Sequence, residues 1–288
     1  MCGLSDFFNI VLSNCSILKK VNKMTGLSYP DISPIIFSVG PLAIRWYSMA
    51  YLLGIIAAWF LISKDIKKYD LRLSKANLED IVFYVTLGIV LGGRIGYVLF
   101  YGFDTFFNNP LEIFAIWHGG MSFHGGIIGV IIAIYLVARK IKYPFLGITD
   151  LAALYTPIGI FCGRLANFAN DELWGRITDV PWAVKFPSGG YLPRHPSQIY
   201  EALTEGLLLL IILNLLWQNL WIRKHTGFIS GMFLILYGIF RMFIEQFRQP
   251  DNQLGFVFLN FTMGQMLSVP FIVIGFLVIC VSIKKFKP

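Results

Sequence analysis

The stretch IVFYVTLGIVLGGRIGYVLFY, Ile81–Tyr101, decides the fold class. A helix needs about 20 mostly apolar residues to cross the hydrocarbon of a bilayer, and this run supplies them with one charge, Arg94. Gly88, Gly92 and Gly96 recur at four-residue intervals, which lines one helix face with small residues on which a neighbouring backbone can close. Six further runs share this character: Tyr47–Ser63, Ile113–Ala138, Leu151–Asn170, Ile199–Trp221, Phe228–Phe247 and Met266–Ile283. The pairs Gly125/Gly129 and Gly159/Gly163 repeat the spacing. The seven runs predict an all-α polytopic membrane protein with about seven transmembrane helices.

Composition agrees. Of 288 residues, 56% are hydrophobic and 14% charged, and the mean hydropathy is +0.67. Soluble domains carry about 25% charged residues. A disordered chain, a collagen-like chain and a disulfide-stapled module are all excluded. A net charge of +8 would raise nucleic acid as a partner in a soluble protein. Here its location matters more than its sum, and no nucleic-acid partner is expected. Cys2, Cys15, Cys162 and Cys280 form no CxxC or metal spacing, so each reads as a small apolar residue. No metal site and no cofactor are expected, and no nucleotide-binding glycine pattern occurs.

The segments between spans alternate in basic charge. Segment 64–80 holds Lys64, Lys67, Lys68, Arg72 and Lys75, whereas 102–112 holds no Lys or Arg. Segments 139–150 and 222–227 are basic, 248–265 holds only Arg248, and the tail ends in Lys284, Lys285 and Lys287. Basic segments face the cytoplasm, which puts the start of span one outside and the C-terminus inside. Segment 171–198 falls outside by parity and is long enough for a small periplasmic cap. Residues 1–23 do not conform. Their basic residues Lys19, Lys20 and Lys23 come last, the reverse of a signal peptide, and fall on the wrong side. They are read as an extension, with Met24 as an alternative start and residues 24–288 as the membrane domain.

Charges inside spans are expensive, by about 2.5–3.5 kcal/mol each on insertion scales. This chain holds Arg94, His124, Arg164, Glu201, Glu205, Arg241 and Glu245 within its spans, which implies a polar central cavity. In WHGGMSFHGG, Trp117–Gly126, two glycine pairs flank Met121–His124. Glycine is a poor helix former, so regular helix is expected only from near Ile127, with His124 at its mouth. His124 is then either a proton acceptor or a hydrogen-bonded packing residue, and His118 reads as structural. In GRLANFANDELWGR, Gly163–Arg176, Arg164 and Asn167 share a helix face and can donate to phosphate or carboxylate oxygens. Alternatively Arg164 pairs internally with a glutamate. In LPRHPSQIYEALTEG, Leu192–Gly206, the prolines fix an extended approach and Ser197 is a candidate N-cap. Gln198 can reach polar groups, Glu201 and Glu205 share a face as counter-charges for arginines, and His195 reads as structural. Tyr237, Arg241 and Glu245 form one polar stripe on their span, in which Arg241 and Glu245 can pair. Arg94 can take a carboxylate such as Glu201, but the pairing is not fixed by sequence.

GGRIGYVLFY, HGGMSFHGG, GRLANFANDELWGR, LPRHPSQIYE and FRMFIEQFRQPD occur in this order. Together, from about Met24 to the end, they resemble the prolipoprotein diacylglyceryl transferases of bacterial inner membranes. The resemblance implies transfer of a diacylglyceryl group from phosphatidylglycerol to the lipobox cysteine thiol of a preprolipoprotein, releasing glycerol phosphate. It implies catalytic roles for His124, Arg164 and Arg241, and phosphatidylglycerol binding by Arg164, Asn167 and Arg241. Arg164 is assigned to the lipid headgroup and Arg241 to the departing phosphate. Tyr47, Glu172, Tyr237 and Glu245 match supporting positions, with Glu245 orienting Arg241. Two features depart from the family pattern. The segment between FPSGG and LPRHPSQ is short, and Asn170-Asp171-Glu172 stands where the pattern has Asn-Gly-Glu. The extra charge of Asp171 either sits beside the phosphate site or faces water.

A secondary transporter is the rival reading, because broken helices and buried Arg–Glu pairs occur there too. It predicts inverted repeats, and the glycine-rich break in span three has no counterpart in span six. A membrane scaffold explains the glycines but not the buried charges.

Overall fold

The structure is a computed structural model that describes residues 26–40, 42–102, 109, 119–249, 256–258 and 261–284. His118, the 1–23 extension, Met24 and the first part of the third predicted span lie outside the described residues. The helices are α1 (Trp46–Lys68), α2 (Lys75–Tyr101), α3 (Phe123–Ile141), α4 (Phe145–Ala169), α5 (Ser197–Trp217), α6 (Leu220–Lys224), α7 (Phe228–Ile244) and α8 (Met263–Lys284). Among the described residues, α1 to α5 and α8 are long and apolar enough to cross a membrane, and α7 is a shorter apolar helix of 17 residues. This is the expected architecture of about seven apolar helices.

Boundaries moved for local reasons. Helix α1 runs on through Lys67 and Lys68, which lie in its last turn beside the negative end of the helix dipole. Helix α2 begins earlier than read, at Lys75, because the Ser74 hydroxyl accepts from the Asn77 amide and caps it. Helix α7 stops at Ile244, before the predicted end, as the chain turns at residues 245–247 into an antiparallel bridge between Arg248 and Gly175. Ser197 does not cap α5: Pro196 takes the cap position, and the Ser197 hydroxyl donates to the Leu173 carbonyl at 3.0 Å.

Two compact units emerge. The first contains the described residues up to Tyr51, within Gly159–Leu209 and within Leu236–Ile272. In it, β1 (Leu27–Ser28) pairs parallel with β4 (Val184–Lys185), which pairs antiparallel with β5 (Pro193–Arg194). A hairpin, β2 (Ile35–Val39) with β3 (Leu42–Arg45), leads into α1, and β6 (Phe256–Phe258) with β7 (Phe261–Thr262) leads into α8. Segment 171–198 thus carries β4 and β5. Phe186 is fully buried against Tyr29 and Phe168, a contact worth about 1.5–3 kcal/mol by area. The Tyr29 hydroxyl donates to the Phe168 and Ala169 carbonyls, satisfying the C-terminus of α4. Burial, followed by the nearby Asp171 charge, pushes the Tyr29 phenol above its ordinary pKa.

The second unit contains the described residues within Leu52–Ile158, Leu210–Ile235 and from Val273 on. Its centre is the seam between α2 and α3, where Gly88, Gly92 and Gly96 meet Gly125 and Gly129. A Cβ on Gly88 would stand 2.6 Å from the Gly129 carbonyl, and one on Gly92 would strike the Gly125 carbonyl. Buried Asp150 accepts from the Gly227 and Ser230 amides and the Ser230 hydroxyl, tying α4 to the start of α7. Leu52 and Phe60 on α1 and Ile128, Ile131 and Ile132 on α3 are exposed, as lipid-facing side chains must be.

Candidate active site

The first unit gathers most of the expected residues around two fully buried carboxylates. Helix α5 carries Glu201 and Glu205, and a π-helical stretch, Ala202–Leu208, follows Glu201. Such stretches recur at functional sites because they redirect side chains. Gly206 lets α5 approach α4 closely: a Cβ there would lie 2.9 Å from the Phe161 Cα. Arg164 on α4 then reaches both glutamates, with Nη1 3.1 Å from Glu201 Oε2 and Nη2 3.3 Å from Glu205 Oε2.

Arg241 on α7 approaches the same pair. Its Nη1 is 2.6 Å from Glu201 Oε1 and 3.7 Å from Glu205 Oε1, and its Nη2 is 3.1 Å from Glu245 Oε2. Arg248 adds a third guanidinium, 3.0 Å from Glu201 Oε1. Glu245 in turn accepts from the Thr262 hydroxyl at 3.0 Å and packs on Gly264. Arg164, Arg241 and Arg248 thus balance Glu201, Glu205 and Glu245. The sign of the accessible surface is uneven, however. The side chains of Arg164 and Arg241 are 18% and 14% exposed, and those of Glu201 and Glu205 are 0% exposed. The guanidiniums are thus the more accessible groups of the cluster, an arrangement suited to an anion.

A second polar cluster adjoins on α4. Asn167 Nδ2 donates to the Tyr47 hydroxyl and, at 3.2 Å, to Glu172 Oε1. Asn170 Nδ2 donates to the same oxygen, and Gln198 Nε2 donates to the Glu172 carbonyl at 2.7 Å. Tyr237 lies one turn before Arg241 on α7 and packs near Phe271. Arg164 pairs internally with Glu201 and Glu205, the alternative that the sequence left open, and its side chain stays partly exposed.

Asp171 neither sits among the arginines nor hangs in water. It takes a left-handed backbone (φ 55°), a region that favours glycine and that Asp tolerates. Its Oδ2 accepts from the Ser188 amide at 2.7 Å. Arg194 stacks on Trp174 at 4.0 Å and donates to the Gly189 and Gly175 carbonyls. His195 hydrogen-bonds Tyr200 and packs on Phe247, as a structural histidine does, and burial lowers its pKa.

His124 belongs to the second unit. It stands in the first turn of α3, which starts at Phe123 rather than near Ile127, because Ser122 caps Gly125 at 3.2 Å and the glycines pack on α2. His124 is exposed, with Phe123 edge-on at 5.8 Å. Arg94, also in this unit, donates to backbone carbonyls at Gly119 and Gly120. Reading the sequence alone missed the partnership of Arg248 with Glu201 and of Thr262 with Glu245. The only signal for Arg248 was its place seven residues after Arg241 in one motif. Among the described residues no cluster of His, Cys, Asp or Glu could hold a metal.

These features define a class: a polytopic membrane protein in which three arginines converge on buried glutamates. The sequence profile of the family described as prolipoprotein diacylglyceryl transferase matches residues 34–281. A phosphatidylglycerol–prolipoprotein diacylglyceryl transferase of Rickettsia felis is 50% identical over 259 residues, covering 90% of this chain and 100% of that protein. The Rickettsia rickettsii counterpart is 49% identical with the same coverage. That of Aeromonas hydrophila is 49% identical over 89% of this chain and 93% of its own length. The chain belongs to the prolipoprotein diacylglyceryl transferase family.

Proposed function

We propose that this chain is the enzyme that transfers a diacylglyceryl group from phosphatidylglycerol to a prolipoprotein, with the arginines on the buried glutamate pair as its phosphate site. The acceptor is the thiol of a lipobox cysteine. The sulfur attacks the glyceryl carbon that bears the phosphate, a C–S bond forms, and the C–O bond breaks. Glycerol phosphate leaves with the electron pair. The thiol proton must go to a base, because a thiol with a pKa near 8.5 is mostly protonated at neutral pH. His124 is assigned to that proton or to holding the group that takes it.

Charge grows on the phosphate oxygen as the bond breaks, and donors already aimed there lower the barrier. Arg164 is assigned to the phosphatidylglycerol headgroup and Arg241 to the departing phosphate. Asn167 contributes to lipid binding, and Tyr47, Glu172 and Tyr237 shape the site. Glu245, 3.1 Å from Arg241, orients it. The observation that carries the reading is the pair of part-open guanidiniums on fully buried Glu201 and Glu205.

The enzyme works in the bacterial inner membrane. Its basic segments face the cytoplasm and segment 171–198 faces the periplasm as a cap, where exported lipoprotein precursors present their cysteine. Residues 24–288 form the transferase domain. The test is thioether-linked lipid transfer to a lipobox peptide by purified protein in phosphatidylglycerol vesicles. Wild type should transfer, and folded Arg164→Ala should not. Absence of transfer by folded wild type across several peptides would refute the reading.

A further inference from the structure

We propose that Arg94 is a positioning residue: it clamps the glycine turn before α3 and thereby fixes where His124 stands. The inference rests on the reading of His124 as part of the transfer site. The buried Arg94 guanidinium places Nη1 2.5 Å from the Gly119 carbonyl and 3.2 Å from the Gly120 carbonyl. Gly119 and Gly120 have φ of 80° and 79°, a backbone that other residues rarely adopt. Two successive peptide carbonyls are thereby drawn to one side chain.

Three further contacts seat the same turn on α2. The Ser122 amide donates to the Gly93 carbonyl at 2.8 Å. Gly120 lies against the Tyr97 ring so closely that a Cβ would collide with it. Gly93 leaves room for the Met121 side chain, since a Cβ there would come within 2.6 Å of the Met121 Cε. Ser122, buried at the end of this seat, caps α3 through the Gly125 amide, and His124 follows two residues later. The residues between Gly93 and Tyr97 are therefore a seat, and Arg94 is its charged clamp. Both carbonyls are met by Nη1, whose two N–H donors are fixed in the guanidinium plane, whereas a lysine ammonium sits on a flexible stem with freely rotating donors.

The test compares Arg94→Gln, Arg94→Lys, His124→Asn and the Arg94→Gln/His124→Asn double variant with wild type, all in lipid nanodiscs. Hydrogen exchange over peptides spanning residues 119–126 reads the clamp directly. Arg94→Gln should speed exchange there by about tenfold and leave α4 and α5 unchanged, with Arg94→Lys intermediate. In the transfer assay kcat should fall while the KM for phosphatidylglycerol moves little. The double variant should be no worse than the slower single variant, the non-additivity expected of residues acting through one another. Unchanged exchange, exchange raised throughout the protein, or losses that multiply would overturn the proposal. If His124→Asn retains full transfer, the role of His124 fails, and the exchange result still decides whether Arg94 holds the turn. Should Arg94→Gln not fold, Gly120→Ala attacks the same seat from the other side and must give the same local exchange.

Discussion

Arg241 and Glu201 meet at 2.6 Å across two helices, and Glu201 simultaneously takes Arg164 and Arg248. One buried carboxylate therefore holds three guanidiniums that would otherwise repel each other. Desolvating such charges is costly, and removing one partner from a buried pair typically destabilises by about 3–5 kcal/mol. Glu201→Gln should cost about that much in thermal unfolding and abolish transfer. A Glu201→Gln protein that melts like wild type would show that the arginines do not depend on this carboxylate.

Arg241 separates charge from geometry. Arg241→Lys keeps the charge but has one nitrogen where Arg241 sets Nη1 on Glu201 and Nη2 on Glu245. Transfer should fall by about 100-fold or more, equivalent to ~2.7 kcal/mol of lost transition-state stabilisation. The loss should appear in kcat more than in KM. Retention of full kcat by Arg241→Lys would reassign the departing phosphate to another donor.

Tyr47 offers a finer change. Tyr47→Phe removes the hydroxyl that accepts from Asn167 and leaves the ring. A hydrogen bond of this kind contributes about 1 kcal/mol, so melting should shift slightly while transfer slows about tenfold as Asn167 loses its fixed orientation. Steady-state kinetics beside a melting curve separates the two effects.

Gly175 has no room for a side chain. A Cβ there would stand 2.6 Å from both the His195 and the Phe247 carbonyls, and backbone atoms cannot step aside as a flexible side chain can. Gly175→Ala should cost about 1–3 kcal/mol, the usual range for overpacking, and disturb the bridge to Arg248. A melting temperature indistinguishable from wild type would mean that the strand bridge relaxes freely.

Acid should weaken the segment around β5. Burial lowers the pKa of His195 from its ordinary 6.5, so the folded state prefers the neutral ring. Between the lowered folded value and about 6.5, the unfolded chain binds more protons than the native one, and stability falls as pH falls. The contribution is complete above about 6.5. Melting measured from pH 7.5 down to 5 should show this slope, and His195→Gln should flatten it. A parallel slope in the variant would place the titration elsewhere.

Much of the site was legible in the sequence because membrane insertion penalises charge so heavily. Arg164, Glu201, Glu205, Arg241 and Glu245 stood out as charges in apolar runs, and four-residue spacing predicted the Arg241–Glu245 pair. Arg248 and Thr262 did not stand out, because they lie in segments where polar residues are ordinary. Only the chain turn after Ile244 and the start of α8 bring them to Glu201 and Glu245. The break before α3 was read from its glycines, but the start of the helix was set by the Ser122 cap and the α2 surface.

The sequence by itself determined the number and character of the apolar spans, the glycine seam and the set of charges that needed burial. Each follows from local periodicity and from the free energy of moving side chains out of water. The partners of those charges belonged to tertiary structure. Arg94 took backbone carbonyls, Asp171 took the Ser188 amide, and three arginines converged on Glu201. An ion pair depends on distance between segments remote in the chain, and that distance is fixed only when helices pack. The glycines at Gly92, Gly125 and Gly206 set how close they come.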